Sequence, residues 1–261
     1  MKTLKFIGLA IAVILLGVNF TSCSKEDDPK YNLITGEKKL VKLEIEDGNN
    51  KHVYHFSYDN EGRLQESTNA YNIGEETNIT YQWSNSEITP SQHYTYVFDG
   101  GLIRHWWGHE ITYNNDRRST RDYWDYDEYD IYAYYNDFNW SGNKLTNIGF
   151  YQKEGNTSYA QNSLRLIYNE GITCKGYNPI VPILMSVPDD YLCVAHPELM
   201  GARTNQLPNT FDLSIYNRNN PNYADRTQGG FSYKFDNDGY VTECIMSDPS
   251  SGETKYTMVW E

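Results

Sequence analysis

The stretch YDNEGRLQE, residues 58–66, decides the fold because it returns as FDNDGYVTE, residues 235–243. Residues 59–83 align without a gap with 236–260, at an offset of 177, and eight of these 25 positions are identical. In each copy an aromatic residue precedes an Asp-Asn pair and a glycine, and a strand-like run follows. Aspartate and asparagine side chains hydrogen-bond their own backbone and glycine supplies a positive φ, so the pattern predicts a β-hairpin turn.

Shorter copies of the same unit lie between these two. They are FDGGLI at 98–103, WSGNKL at 140–145 and YNEGI at 168–172. Trp83 and Trp260 recur at one position of the long repeat, so we expect both in the core. Repetition of one supersecondary unit along a chain indicates a fold built from similar neighbouring hairpins.

The composition supports the same conclusion. The chain has 24 tyrosines, 6 tryptophans and 9 phenylalanines, and apolar residues alternate with charges in segments such as 37–47. Aromatic strands with polar partners favour an antiparallel sheet that has one wet face. The sequence therefore predicts a mainly β fold, an antiparallel meander sheet of repeated hairpins that is curved or partly closed. Whether the sheet closes into a barrel stays open at this point.

One segment, residues 178–208, departs from the strand pattern. It contains five prolines and the aliphatic cluster 180–185. Asp189 and Asp190 are candidate caps for a short helix that ends near Ala195. Pro197 suits the first position of a second helix that ends at Gly201. We expect a small helical or irregular insert that packs on the sheet.

The N-terminus predicts export. Two lysines precede an uncharged apolar run from Phe6 to Phe20, which is too short for a membrane span and is typical of a signal peptide. Small residues lead to Cys23, as in a bacterial lipobox, so we predict a signal peptide at 1–22 and lipidation of Cys23. An ordinary secretory signal is the alternative. An acidic tether at 23–36 then precedes one β-rich domain at 37–261.

The acidic tract SKEDDPK at 24–30 resembles the surface-export signal of Bacteroidetes lipoproteins. The hairpin unit resembles tyrosine–aspartate (YD/RHS-like) repeats, and HPELMG at 196–201 resembles an insert found before the last hairpin in a family of Bacteroidetes surface lipoproteins. That family has a β-rich domain without an assigned function. The resemblance implies an outer-membrane lipoprotein exposed on the cell surface, and it carries no catalytic residues.

The net charge limits which partners the protein can bind, and the cysteine content limits which disulfides it can form. The signal carries two lysines and no acid, so its removal takes the net charge from −13 to −15. Such an acidic chain repels phosphate backbones, which argues against nucleic acid as a partner. After lipidation three cysteines remain: Cys174, Cys193 and Cys244. One disulfide is permitted in an exported protein and any of three pairings can form it, or all three are buried thiols.

The candidate ligand-binding residues are aromatic. Aromatic faces stack on sugar rings, and polar neighbours bond the hydroxyl groups. The candidates are Trp106, Trp107, Tyr123, Trp124 and Trp140. For each of them, core packing or cross-strand pairing is the alternative role.

No metal or cofactor is predicted, although three segments contain histidine or acidic side chains. His105 and His109 are four residues apart, but the surrounding pattern is that of a strand and bulge rather than a metal-binding helix. The acidic tract 122–130 leaves calcium as the one open alternative, since calcium prefers oxygen ligands. Residues 236–239 resemble a calcium loop, but the matching stretch 59–62 explains them as a turn.

The sequence leaves three functions open. The first is a non-catalytic surface protein that binds an extracellular ligand such as a glycan. The second is a structural lipoprotein that docks on another envelope protein. The third is a glycoside hydrolase, since paired carboxylates are a spatial feature that sequence does not reveal. Nothing in the sequence selects a catalytic pair, so no catalytic residue is assigned.

Overall fold

The computed structural model describes residues 33, 36–71, 76–92, 94–125, 132–169, 171–185, 191–218, 220–249 and 252–261. Within them, sixteen strands form a closed antiparallel barrel in which β1 pairs with β16. The predicted antiparallel meander is confirmed. The expectation of a curved or partly closed sheet is corrected, because the sheet closes fully: the first and last strands pair from Leu43 opposite Met258 to Asp47 opposite Thr254.

The strand bounds follow the chain in simple up-and-down order. The first eight strands are β1 Leu40–Asp47, β2 Asn50–Tyr58, β3 Leu64–Tyr71, β4 Glu76–Trp83, β5 Glu87–Pro90, β6 Tyr96–Asp99, β7 Leu102–Trp106 and β8 His109–Tyr113. The last eight are β9 Ser119–Trp124, β10 Tyr132–Ser141, β11 Lys144–Glu154, β12 Thr157–Ile167, β13 Thr210–Asn217, β14 Asn220–Phe235, β15 Val241–Asp248 and β16 Gly252–Trp260.

The two faces of the wall differ in polarity. Side chains alternate between the faces of a strand, and the inward set includes the fully buried Leu43, Ile88 and Ile111. The outward set is charged, and opposite charges pair across neighbouring strands. Lys51 lies 3.1 Å from Glu44 and from Glu46, and Lys255 bridges Glu46 at 3.9 Å to Glu243 at 3.5 Å. The barrel is therefore apolar inside and polar outside.

The repeated turns all lie at one end of the barrel, called the plug end here. Asp59 Oδ1 accepts hydrogen bonds from the backbone N–H of Glu61 and Arg63, both at 2.9 Å. Asp236 Oδ1 accepts the matching pair from Asp238 and Tyr240, also at 2.9 Å. The glycine of each turn has a positive φ, as predicted. Asn114 forms the same turn with Arg117, at φ 60°, in the glycine position.

Hydrogen bonds from aromatic side chains are a second repeated feature, and they explain why aromatic residues recur at the same positions of the repeats. Near the plug end, a ring N–H or hydroxyl donates to a backbone carbonyl on a preceding strand or loop. Trp83 Nε1 donates to Leu64 O at 2.8 Å, and Trp260 Nε1 donates to Val241 O at 2.6 Å. The other members are Tyr58, Tyr113, Trp140, Tyr168 and Tyr233. These rings tie the hairpins together while their apolar parts pack on the core.

The insert between β12 and β13 fills the barrel from the plug end. It contains α1 (Ile180–Leu184), α2 (Leu192–Ala195) and a 3₁₀ turn (Pro197–Met200) that ends at Gly201 in a left-handed conformation. Its rings and backbone touch opposite sides of the wall. Tyr177 packs on Trp260 of β16, His196 packs on Trp83 of β4, and Arg118 of the β8–β9 turn donates to Gly201 O. A segment reached from all these sides lies inside the barrel rather than against one face.

The prediction of short helices is confirmed for Leu192–Ala195 and for the turn that begins at Pro197. Asp189 and Asp190, the candidate caps, lie outside the described residues. The aliphatic cluster forms α1, and its members Ile180 and Val181 are fully buried. The insert thus supplies the apolar core that an aromatic wall alone does not fill.

A buried polar cluster fixes the insert to the wall. His196 Nδ1 lies 3.1 Å from Glu198 Oε1, and Arg203 contacts Glu37 just before β1. Burial opposes the charged form of Glu198. The hydrogen bond with His196 and the charges of His196 and Arg203 outweigh it and hold the pKa of Glu198 below its ordinary value. The anion is therefore part of the folded state.

The three cysteines of the domain are free thiols. Cys174, Cys193 and Cys244 are all buried, which settles the open question of pairing in favour of no disulfide among them. Burial raises the pKa of the Cys174 and Cys244 thiols to about 12. They pack as small apolar side chains.

The predicted signal peptide, Cys23 and most of the tether lie outside the described residues. In the part of the chain that the structure describes, no helix is long and apolar enough to cross a membrane.

Candidate functional site

The end of the barrel opposite the plug, called the far end here, contains an unusual turn. Trp107 and Gly108 alone connect β7 to β8, and Trp106 pairs with His109 across the turn. Two-residue hairpin turns with positive φ favour asparagine or glycine at the first position. Trp107 occupies it with φ 35°. A bulky residue in this region costs about 1–3 kcal/mol, and such strain is typical of functional sites.

Trp107 is also exposed, so core burial does not offset the strain. It keeps 45% of its surface accessible, and the neighbouring Tyr94 keeps 53%. Their rings stack with centroids 4.8 Å apart and planes 11° from parallel. The pair forms a rigid aromatic platform on the far rim. Sequence reasoning found Trp107 but missed Tyr94, which has no repeat partner and no motif around it.

A groove of about 320 Å³ lies beside the platform on the outer side of the wall. Its lining residues are Thr95, Val97, His105, Trp106, Trp107, Gly108, His109, Glu110 and Tyr123. Partial burial raises the pKa of Tyr123, and the nearby carboxylates of Asp125 and Glu110 raise it further. The Tyr123 hydroxyl therefore stays protonated and can donate a hydrogen bond beside acceptor oxygens. The groove joins aromatic faces with hydroxyl, imidazole and carboxylate groups, the set that recognises a hydroxyl-rich ligand.

The inner face of the wall holds the platform turn in place. Trp106 stacks on His109 at 3.7 Å, and His109 stacks on Trp124 at 4.9 Å. His109 Nδ1 also lies 2.8 Å from Asp122 Oδ1, and both side chains are buried. The row continues through Tyr134 and Phe150. These contacts fix the positions of β7 and β8, the two strands that flank Trp107.

The structure therefore divides the five predicted residues. Trp106, Trp107 and Tyr123 line the groove, while Trp124 lies behind it on the inner face. Trp140 lies apart, at the plug end, where its Nε1 donates to Ser119 O at 2.9 Å like the other rings of that set.

The side chains of the segments that contain possible metal ligands also lie apart from one another. His105 lies on the outer face opposite Glu110, and His109 lies on the inner face opposite Trp106. Of the acidic tract, residues 126–130 lie outside the described part of the chain, and Asp122 faces inward to His109. Among the residues that the structure describes, no group of three or more His, Cys, Asp or Glu side chains is placed to hold a metal ion.

The fold defines the chain as a closed, plugged β-barrel, and comparison with known proteins agrees. No protein-family model and no curated protein matches the sequence. Two similar solved structures are porin-like proteins from Bacteroides. The one from Bacteroides vulgatus has a TM-score of 0.63 at 12% identity and covers 86% of this chain and 99% of its own. The one from Bacteroides uniformis has a TM-score of 0.56 at 13% identity and covers 90% of this chain and 100% of its own. At such identities the likeness concerns the fold.

Proposed function

We propose that this protein is a lipid-anchored outer-membrane protein exposed on the cell surface, and that it binds an extracellular glycan without catalysis. The observation that carries the proposal is the stacked Tyr94–Trp107 platform, held exposed by a turn that is strained at Trp107. An exposed and strained aromatic pair contributes little to folding, whereas sugar rings bind well to such faces. The adjoining groove supplies the polar partners for hydroxyl groups.

The outer wall supports attachment through lipid rather than through the strands. Barrels that cross a membrane present an outward apolar band, and a lysine or arginine at its centre costs about 2–4 kcal/mol. Here the outer face has ion pairs among Lys51, Glu46, Lys255 and Glu243. A wall of this kind belongs in water, so membrane attachment falls to the predicted lipid on Cys23. The porin-like Bacteroides neighbours are consistent with the outer membrane as the location.

The anchor is tested by Cys23→Ser. The unlipidated chain is expected to leave the membrane fraction and to lose metabolic palmitate label, while its barrel still folds. Retention of the variant in washed membranes would contradict the proposed mode of attachment.

The proposed orientation of the binding site relative to the membrane rests on where the chain enters the barrel. The chain enters the barrel at the plug end, where Lys39 pairs with Glu261 and Lys38 contacts Asp236. A tether anchored at Cys23 therefore reaches the plug end first. The Tyr94–Trp107 platform at the opposite rim then faces away from the membrane, where an extracellular polymer arrives.

The proposal is tested by probing a glycan array with the full chain in mild detergent, with and without chelator. We expect binding to at least one neutral glycan class and its loss in Trp107→Ala. Tyr223→Ala is the matched control, since Tyr223 is also an exposed aromatic residue, at 58%, on the β13–β14 hairpin. An array that stays blank with folded protein, or binding that survives Trp107→Ala, would contradict the proposal. Loss of binding with chelator would point to calcium.

Docking on an envelope protein is the second candidate, and one observation favours it. Ile215 and Tyr223 lie on the same hairpin and expose 53% and 58% of their surfaces. The barrel of described strands is closed, so docking would use side chains rather than a free strand edge. If docking is the function, Ile215→Ser with Tyr223→Ala abolishes cross-linking to a specific membrane protein, and Trp107→Ala does not.

A hydrolase is the least supported candidate. Glycoside cleavage uses two carboxylates that flank the scissile bond. Glu110 is the one carboxylate among the described residues that line the groove.

A further inference from the structure

A second groove of about 280 Å³ lies on the same outer wall, several strands from the first. Its lining is polar and comes from four neighbouring strands, β11 to β14. The residues are Asn147, Ser163, Arg165, Asp212, Ser214, Arg226, Thr227 and Gln228. Gln228 Nε2 donates to Asp212 Oδ1 at 2.9 Å, and Ser163 Oγ donates to Asn147 Oδ1 at 2.8 Å. Hydrogen bonds between its own members hold these polar groups in place before any ligand arrives.

Arg226 is the distinctive member of this second groove. Most cations on the wall lie beside a carboxylate, as Arg121 does with Asp137 and Lys234 with Glu243. Arg226 is exposed and has no ion-pair or hydrogen-bond partner among the described residues. Its guanidinium group therefore keeps all its donors available to a ligand oxygen.

A row of tyrosines joins the two grooves. Tyr123 of the first groove lies opposite Tyr135 on β10, and Tyr135 lies opposite Tyr151 on β11. The rings of Tyr135 and Tyr151 stack with centroids 4.8 Å apart and planes 11° from parallel. All three side chains lie on the outer face, opposite Trp124, Tyr134 and Phe150. Tyr135 is buried there beneath the Arg121 guanidinium group, which lies 4.3 Å from its ring centroid, so the half-buried Tyr123 and Tyr151 form the accessible part of the row.

The row reaches the second groove through a glycine. A Cβ on Gly149 would lie 2.7 Å from Cε2 of Tyr151, so only glycine lets this ring lie down along the wall. Gly149 pairs with Ser163, which lines the second groove. The path from Glu110 on β8 to Arg226 on β14 crosses six strand intervals, or about 29 Å at the usual strand spacing.

We infer that the two grooves and the tyrosine row form one extended binding surface for a polymer, a glycan chain that lies across the strands. The inference rests on the proposed glycan-binding function and deepens it by naming the ligand as a chain rather than a single sugar. The Tyr94–Trp107 platform binds one part of the glycan chain, Tyr123 and Tyr151 contact its middle, and Arg226 with its polar neighbours binds the distal part.

The experiment compares ligand lengths on the full chain in mild detergent, by calorimetry. The probes are disaccharides and octasaccharides of 1,4-linked glucose, 1,4-linked xylose and 1,6-linked mannose. Arg226→Ala is expected to weaken octasaccharide binding about tenfold, the usual effect of losing a charged hydrogen bond, and to leave disaccharide binding unchanged. Trp107→Ala is expected to weaken both. Lys51→Ala, which removes an exposed cation on β2 away from both grooves, is the matched control.

Two outcomes overturn the inference, and they are distinguishable. If Trp107→Ala weakens both lengths and Arg226→Ala weakens neither, the extended surface is wrong and the proposed glycan-binding function stands. If no oligosaccharide binds the folded wild-type chain, both fall together. Circular dichroism of each variant shows whether the barrel is intact, and since Arg226 is exposed its removal leaves the core unchanged.

Discussion

The two ends of this barrel are built on different principles. At the plug end, one turn geometry recurs at Asp59, Asn114 and Asp236, and aromatic rings bond neighbouring backbone in the same way at seven places. At the far end the two-residue turns at 48–49 and 155–156 have glycine at the first position, whereas the two-residue β7–β8 turn has a strained, exposed tryptophan there. The repeated turns and aromatic hydrogen bonds therefore stabilise the barrel. The candidate binding residues lie at the far end, where the chain departs from the repeats.

The largest expected effect tests this contrast with one tryptophan from each end. Trp260→Ala removes a buried ring with a hydrogen bond to Val241 O and edge packing on Tyr177, so it should lower the free energy of unfolding by about 3–5 kcal/mol. Trp107→Ala should change it by less than about 0.5 kcal/mol, since the ring is exposed. Urea denaturation measures both. Equal losses at the two sites would show that the two ends do not differ in this way.

The second test concerns the cluster that locks the plug. Glu198→Gln removes the anion beside His196 and one of the two carboxylates near Arg203, and it should lower the free energy of unfolding at pH 7 by about 1–3 kcal/mol. The pKa of Glu198 lies below its ordinary value of 4.5 in the folded state. Its stabilisation is therefore present above pH 4.5 and is lost as the pH falls further.

Thermal denaturation between pH 7 and pH 3 checks this prediction. The difference between wild type and Glu198→Gln should shrink as the pH falls below 4.5. Glu61→Gln, at an exposed turn carboxylate, is the control and should differ little from wild type. A constant difference across the range would show that the charge of Glu198 does not lock the plug.

The third test asks whether the repeated turn needs its glycine. Gly239 has φ 94°, and Gly239→Ala should cost about 1–2 kcal/mol because an alanine Cβ crowds the backbone in this region. Gly230→Ala is the matched control, since φ is not positive there and a Cβ would meet Asn209 O at an ordinary 3.6 Å. Chemical denaturation compares the two, and a neutral Gly239→Ala would remove the turn from the features that stabilise the plug end.

The fourth test predicts a gain in stability, at the far end of the barrel. Trp107→Asn places a residue that tolerates positive φ at the strained position, so the free energy of unfolding should rise by about 0.5–1 kcal/mol. The same change removes the platform and should abolish glycan binding. A stabilised variant without binding would show that stability is given up for function at this turn. A destabilised one would mean that the Tyr94 stack holds the turn.

The smallest expected effect lies on the wall between the two ends. Glu46→Gln removes partners of Lys51 and Lys255, and exposed ion pairs contribute about 0.2–1 kcal/mol. The loss should disappear at high salt, because exposed charges are screened. A loss that persists in molar salt would show that the wall stabilises the barrel by packing and not by charge.

Much of the fold was predictable because the repeat encodes it locally. The Asp-Asn-x-Gly pattern predicts turns at 59–62 and 236–239, and alternation predicts the strands on either side. The turn at Asn114 escaped notice because Arg117 takes the glycine position. Closure was not predictable, since it depends on pairing between β1 and β16, which are far apart in the chain. The placement of the insert inside the barrel follows from that closure.

The candidate site was only partly predictable. Trp107 stands out in sequence as a tryptophan beside a glycine, but a periodicity argument does not separate the outer face from the inner face on either side of an irregular turn. Trp124 therefore entered the same candidate set as Trp107, although it lies on the inner face behind the groove. Tyr94 and Arg226 gave no signal, because a stacked partner and an unpaired arginine are properties of the folded chain.

The pairing of β1 with β16 also constrains how the molecule is made. Leu43 finds its partner Met258 only after the whole domain has emerged, so the ends of the chain have to meet last or wait for each other. A pairing between strands so far apart in sequence forms slowly and leaves both strand edges exposed until it does. The insert must also be enclosed before the ring shuts. During synthesis, β1 therefore remains without its second partner strand until β16 has been made.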